Sequence, residues 1–220
     1  MRSALMALLC VTAAPVMADT WPELVLQSEH PVEGMRGANL SGLALCLGEL
    51  WAVSDRDDDQ IYRLDQHSPE WHAEALHIDV PPPPESGLPW GVRMMSKAVS
   101  PLRGGELDFE GISCDEAGNR FVVSETHAAV LQIPQTGAPA WLKIDPSLVR
   151  QARASGMLLH FNALFEGIAV NPQGNQIWLA AERERRGLLT IGKKQSVWDC
   201  EGGCVLMSEG GLESAPPQLK

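Results

Sequence analysis

The stretch "LDFEGISCDEAGNRFVVSE", Leu107–Glu125, contains the unit from which the fold can be read. Gly111 opens a short apolar run, polar and glycine-containing residues turn the chain, and a second apolar run ends on an acid, Glu125. Short apolar runs bounded by Gly, Asn and Asp read as paired β-strands. The same unit stands in "GLALCLGELWAVSD" (Gly42–Asp55) and "GIAVNPQGNQIWLAAE" (Gly167–Glu182). Its glycines lie 69 and 56 residues apart, and the acids follow them by 13, 14 and 15 residues. A third strand follows each acid: "QIYRLD" from Gln60, "AVLQIP" from Ala129 and "GLLTIG" from Gly187.

A unit of about three antiparallel strands, repeated at this interval, describes a propeller blade. A β-sandwich also has many short strands, but it does not require an acid at matching places in successive hairpins. The expected fold class is therefore all-β: a β-propeller-like array of short antiparallel blades, with repeats near 37–66, 106–134 and 161–192. Three repeats do not close a ring, so an incomplete array is expected, with Trp21–Ser28 and Gln195–Cys200 as candidate extra strands. Open edges of this kind invite self-association. One short inserted helix is expected in "DPSLVRQARASG", where Asp145 caps, Pro146 suits the first position and Gly156 ends it. "DVPPPPESG" (Asp79–Gly87) must be an exposed connection, because proline cannot donate to a sheet ladder.

The opening "MRSALMALLCVTAAPVMADT" has one cation, Arg2, an apolar stretch from Ala4 to Ala14, and small residues at Val16-Met17-Ala18. It reads as a signal peptide over 1–18, leaving a domain over 19–220 that is periplasmic or secreted. No later run is long and apolar enough to span a bilayer. In an oxidising compartment the four remaining cysteines are candidates for disulfides. Cys200 and Cys204 flank two glycines and are expected to bridge, whereas Cys46 and Cys114 read equally well as small buried hydrophobes. The formal charge of −11 becomes −12 without Arg2. With no large Lys/Arg cluster, nucleic acid is excluded as a partner. "AERERRG" (Ala181–Gly187) mixes three arginines with two glutamates and reads as a solvated hairpin.

The step Phe-Glu-Gly occurs twice, at Phe109–Gly111 and Phe165–Gly167. In a propeller, equivalent positions of successive blades face one central space, so Glu110 and Glu166 should converge. Gly111 and Gly167 would let neighbouring backbones approach. Converging carboxylates need a cation or arginines, and Ca²⁺ with its oxygen ligands is the fitting ion. The metal reading takes Glu110 and Glu166 as ligands, with Asp108, Glu125, Glu182 and Asp55 as further candidates, the latter two glutamates near the rim. The alternative is that Glu110 and Glu166 accept backbone N–H groups at blade junctions and bind nothing.

"DRDDD" (Asp55–Asp59) alternates acids as a calcium loop does, but Gln60 stands where such a loop needs glycine and Gln66 where it needs glutamate. A solvated hairpin tip is the better reading. His67, His72 and His77 recur every five residues, which in a strand alternates their faces and excludes one shared metal. There is no G-x-S-x-G elbow, no H-E-x-x-H and no P-loop. Ser124 and His127 are near in sequence, but in a strand they point to opposite faces.

"SDRDDDQIYRL", "LDFEGISCDEAGNRFVVSE" and "FNALFEGIAVNPQGNQIWLAAE", in that order, resemble the bacterial phytase-like family, also described as esterase-like activity of phytase. The resemblance runs over about Gly37–Gly192. Leu164 replaces the family's usual glycine, and family members continue into further blades and another acidic motif. The resemblance implies an exported, metal-assisted hydrolase acting on a small-molecule ester or phosphoester. A second reading is a non-catalytic, calcium-stabilised propeller that binds a ligand or partner on its channel face.

Overall fold

The computed structural model describes residues 24–37, 39–103, 105–183 and 185–209. The strands follow the repeats. The first sheet holds β1 (Val32–Glu33), β2 (Gly42–Cys46), β3 (Glu49–Val53), β4 (Gln60–Asp65) and β5 (Trp71–His77). After helix α1 (Trp90–Arg103) comes a second sheet of β6 (Phe109–Cys114), β7 (Arg120–Ser124), β8 (Ala129–Ile133) and β9 (Ala140–Trp141). Helix α2 (Ser147–Ala154) leads into a third, made of β10 (Phe165–Val170), β11 (Gln176–Ala181), β12 (Gly187–Lys194), β13 (Val197–Asp199) and β14 (Val205–Ser208). Each sheet is an antiparallel meander from its inner strand outward, apart from β1, which pairs parallel to β5, and β14, which returns to pair antiparallel with β12. This is the propeller-like array of blades that the repeats imply.

Glycine joins the blades. A Cβ on Gly42 would lie 2.8 Å from the Cα of Gly111 and 3.0 Å from the nitrogen of Ile112. A Cβ on Gly111 would lie 3.2 Å from the oxygen of Glu166 and the nitrogen of Ile168. So β2, β6 and β10 run side by side at backbone distance, which only glycine permits at the joint. Gly167, the third of the set, would meet only Ala180 of its own blade. Among the described residues no fourth blade covers it.

Apolar layers fill the two joints. Trp51, Val53 and Ile61 of the first blade pack with Phe109, Val122 and Leu131 of the second. Phe121, Val123 and Val130 pack with Phe165, Ile177, Leu179 and Leu189 of the third. Alternate residues of each strand point to opposite faces, so each middle strand serves two layers. The Cys46–Cys114 disulfide, with Cα atoms 5.9 Å apart, ties the first two blades together. Cys200–Cys204 is also bridged, as expected.

Several local expectations change. The leader lies outside the described residues. Residues 24–28 form no strand; the extra strand at that end is β1, while β13 falls within Gln195–Cys200 as expected. The helix read from Asp145–Gly156 is present, with Asp145 Oδ1 accepting from the Ser147 amide at 2.7 Å and Gly156 at φ +84°. Its Leu148, Val149 and Ala152 are buried in the joint between the second and third blades. A second helix, α1, joins it. Pro101 and the β-branched Val92 and Val99 disguise that segment, because none favours a helix interior. It is held by Val92, which packs on the same core as the buried Leu88.

Candidate functional site

The 13–15-residue spacing of the repeat has a geometric consequence. Each hairpin returns the chain to the end of the sheet where it began, so the acid after β3, β7 or β11 lands beside the start of the inner strand. The amide of Glu125 donates to the Asp108 carbonyl at 2.9 Å, and that of Glu182 to the Leu164 carbonyl at 3.2 Å. The two blades share the same closure. In the first blade the Asp55 amide donates instead to Ser41 Oγ at 3.1 Å.

Glu110 and Glu166 are the extra residues of two β-bulges, between Phe109 and Gly111 and between Phe165 and Gly167. A bulge breaks the side-chain alternation and re-aims the inserted residue. Both carboxylates are thereby turned out of the joint layers toward the ends of their hairpins. Asp108, at φ +56°, adopts the left-handed conformation that Asp tolerates better than most residues.

Asp55, Asp108 and Glu110 bring carboxylate oxygens within 4.8 Å of one another. Asn39 orients Asp55 by donating to its Oδ1 at 2.7 Å. Burial, then the charges of Asp108, Glu125 and Asp55, push the Glu110 carboxyl up to about 8. Burial, a hydrogen bond with Glu182, and the charges of Glu125 and Glu110 push Glu166 well above the usual carboxylate range. Each named acid thus acts on at least one of the two central glutamates. Two arginines reach the flanks of the cluster: Arg56 Nε lies 4.0 Å from Asp55 and Arg183 Nε 3.3 Å from Glu182.

Glu125 is not at the rim. It is 2% exposed, and its Oε1 accepts the Leu164 amide at 3.1 Å, bridging the second and third blades. Glu125 thus plays at this joint the backbone-acceptor role considered for Glu110 and Glu166. Sequence reading also passed over Asn39 and Ser41. Counting back from the repeat glycines places Asn39 level with Asp108, and Ser41 level with Glu110 and Glu166.

"DRDDD" is not a solvated tip. Asp57 is buried and pairs with Arg36 Nε at 2.8 Å, while Tyr62 also donates to it. Burial pulls the Asp57 carboxyl up, but the bonds from Tyr62 and Arg36 outweigh it and hold it below the ordinary range. Asp58 accepts the Glu106 and Leu107 amides at 2.6 and 2.9 Å, and Asp59 pairs with Arg36. Only Asp55 joins the acid cluster. Ser124 and His127 do approach, at 3.4 Å, because His127 lies in the turn beyond β7 rather than in the strand. Yet Ser124 is fully buried and its hydroxyl donates to the Leu107 carbonyl, so it is sealed from any substrate.

No curated protein matches the chain. Among solved structures, virginiamycin B lyase from Staphylococcus aureus is 14% identical, with 72% of this chain and 39% of that one covered, at a TM-score of 0.41. An auxiliary nutrient binding protein from Bacteroides ovatus is 12% identical, with 80% and 34% covered, at a TM-score of 0.46. The chain spans less than two fifths of either protein. The family model described as "Phytase-like: Esterase-like activity of phytase" matches residues 36–195, a span that takes in all three repeats and every acid of the cluster. By that match the chain belongs to the phytase-like family.

Proposed function

We propose that the chain is an exported propeller hydrolase that acts on a small-molecule ester or phosphoester at the Asp55, Asp108, Glu110, Glu125, Glu166 and Glu182 cluster, with Ca²⁺ as cofactor. The observation that carries this is the approach of Asp55, Asp108 and Glu110, whose carboxylate oxygens lie within 4.8 Å of one another, with burial and three neighbouring acids pushing the Glu110 carboxyl up to about 8. Buried like charges persist when a cation compensates them. The donor set is all oxygen, which suits a hard divalent ion, and Asp55, Asp108 and Glu110 are close enough to share one. When bound, such an ion supplies electrostatic stabilisation to a phosphoryl or carbonyl oxygen. Without the ion, burial and the neighbouring acids hold the Glu110 and Glu166 carboxyls above the ordinary range; with it, both would be ionised and help to hold it. Asn39 would keep the Asp55 carboxylate oriented.

Both disulfides support export, since such bonds persist in oxidising compartments. No described helix is long and apolar enough to cross a membrane. Protein from the native host should begin at Asp19, and recovery of Met1 would overturn the leader. The activity is tested with p-nitrophenyl acetate and p-nitrophenyl phosphate, in calcium and in EDTA. Calcium-dependent turnover that Glu110→Gln abolishes is the expected result. The second reading is a non-catalytic calcium-stabilised propeller that binds a ligand or partner on its channel face. Stabilisation by calcium without turnover of either ester would establish that reading instead.

A further inference from the structure

Helix α1 carries Trp90, Arg93, Met94 and Lys97 at spacings of three, four and seven, which line one face. That face borders a cleft of about 360 Å³, whose other walls are Pro83–Pro84 and the Thr126–His127 turn. A volume of this size is of the order that takes a small ligand, roughly 300–1,000 Å³. The lining inverts the sign of the whole protein. The chain has 28 acids against 17 Lys and Arg, but the cleft has Arg93 and Lys97 against Glu85 alone.

Three observations specify the ligand. Arg93 Nε is buried with no hydrogen-bond partner among the described residues, an orphan donor that a partner should satisfy. Pro83 and Pro84 have no N–H to offer, and the cationic donors of the lining, Arg93 and Lys97, both stand on the helix side. Trp90 is 71% exposed and Met94 46%, a large apolar surface beside the two cations. Guanidinium binds oxyanions through charge-assisted, commonly paired hydrogen bonds, and an indole face takes an aromatic ring.

We propose that this cleft is a binding site for an aromatic oxyanion, with Arg93 and Lys97 holding the anionic group and Trp90 and Met94 the ring. The site is distinct from the acid cluster and does not depend on it. Its nearest approach in sequence is Thr126, next to Glu125.

The test is calorimetric titration of the full chain with phenyl phosphate and with benzoate, in EDTA so that no metal contributes. Saturable binding of at least one probe is expected. Arg93→Gln should weaken it roughly tenfold or more, the loss of a hydrogen bond to a charged group. Trp90→Ala should bring phenyl phosphate down to the affinity of inorganic phosphate. Lys97→Gln, at an exposed position, serves as a second charge variant if Arg93→Gln fails to fold. Glu110→Gln should leave binding intact, so failure of the hydrolase reading would not touch this one. Absence of saturable binding by both probes, unchanged affinity in the Arg93 and Lys97 variants, or loss of binding with Glu110→Gln would overturn it.

Discussion

Glu110 and Glu166 occupy the same place in adjoining blades: each is the inserted residue of a bulge, one step before a glycine that packs, or is free to pack, against the next blade. The repeat of a local irregularity sets two carboxylates toward one space. Neither bulge follows from strand alternation, yet the doubled Phe-Glu-Gly step marks both.

The first prediction is a pH dependence of stability with an unusual sign. Glu110 has an ordinary value of 4.5 and rises to about 8 in the folded chain. Below about 4.5 the folded and unfolded chains both hold the proton. Between 4.5 and about 8 the unfolded chain releases it and the folded chain does not, so stability falls as pH rises. Glu166 shifts in the same direction and adds to the slope. Melting temperatures in EDTA should therefore drop from pH 5 to pH 8.5, and Glu110→Gln should flatten the curve. A melting temperature that climbs over that range, with Glu110→Gln following wild type, would contradict the clustering.

The second prediction is that calcium reverses this loss. A ligand that binds only the native state stabilises it by about 2.7 kcal/mol at a hundredfold excess over Kd, roughly 5–10 °C for a chain of this size. The gain should be larger at pH 8.5 than at pH 5, because protons compete for the same oxygens. Scanning calorimetry with calcium and then excess EDTA checks it. Glu110→Gln and Glu166→Gln should each blunt the response.

Much of this was legible in the sequence because the signal is repetition rather than propensity. The hairpins at Gly42, Gly111 and Gly167, and the acids that close them, follow from spacing alone. What was not legible depends on contacts across the chain. Arg36 reaches Asp57 from 21 residues away, and the Leu164 amide reaches Glu125 from 39. No local pattern separates a solvated Asp from one that meets a distant arginine. The same holds for Cys46 and Cys114, 68 residues apart, whose pairing follows from β2 lying beside β6.

The third prediction ranks the joint glycines. Alanine at Gly42 would force its Cβ to 2.8 Å from the Gly111 Cα, a backbone atom that cannot swing aside. Alanine at Gly111 meets backbone at 3.2 Å, and at Gly167 only the Ala180 methyl at 3.3 Å. Overpacking of this kind costs about 1–3 kcal/mol, against roughly 0.4–1 kcal/mol gained by stiffening the unfolded chain. Urea midpoints should fall most for Gly42→Ala, less for Gly111→Ala and least for Gly167→Ala. An inverted order would break the blade register.

The fourth prediction separates the two disulfides. Chain entropy assigns about 4 kcal/mol to a loop of 68 residues and about 2 kcal/mol to one of four. The paired variant Cys46→Ala/Cys114→Ala should melt well below Cys200→Ala/Cys204→Ala. Equal melting temperatures for the two would mean that the Cys46–Cys114 link does not constrain the unfolded chain.

The fifth prediction concerns the outer face of the first blade. On β2, Gly42, Ala44 and Cys46 face the second blade, and alternation turns Leu43 and Leu45 the other way. They are 50% and 69% exposed. Their cross-strand partners Ala52 and Leu50 are packed with Tyr62, Val32 and Met35, so the two leucines extend an apolar surface that Met35 and β1 cover only in part. Adjoining apolar residues on a blade face are what the two internal joints bury, and a second copy supplies such a face at high concentration. Sedimentation velocity should show a concentration-dependent dimer of residues 19–220. Leu43→Glu and Leu45→Glu should each return it to monomer without lowering the melting temperature of the dilute protein, because neither side chain belongs to the core. A species that stays monomeric at every concentration, or a dimer indifferent to both substitutions, would exclude this face.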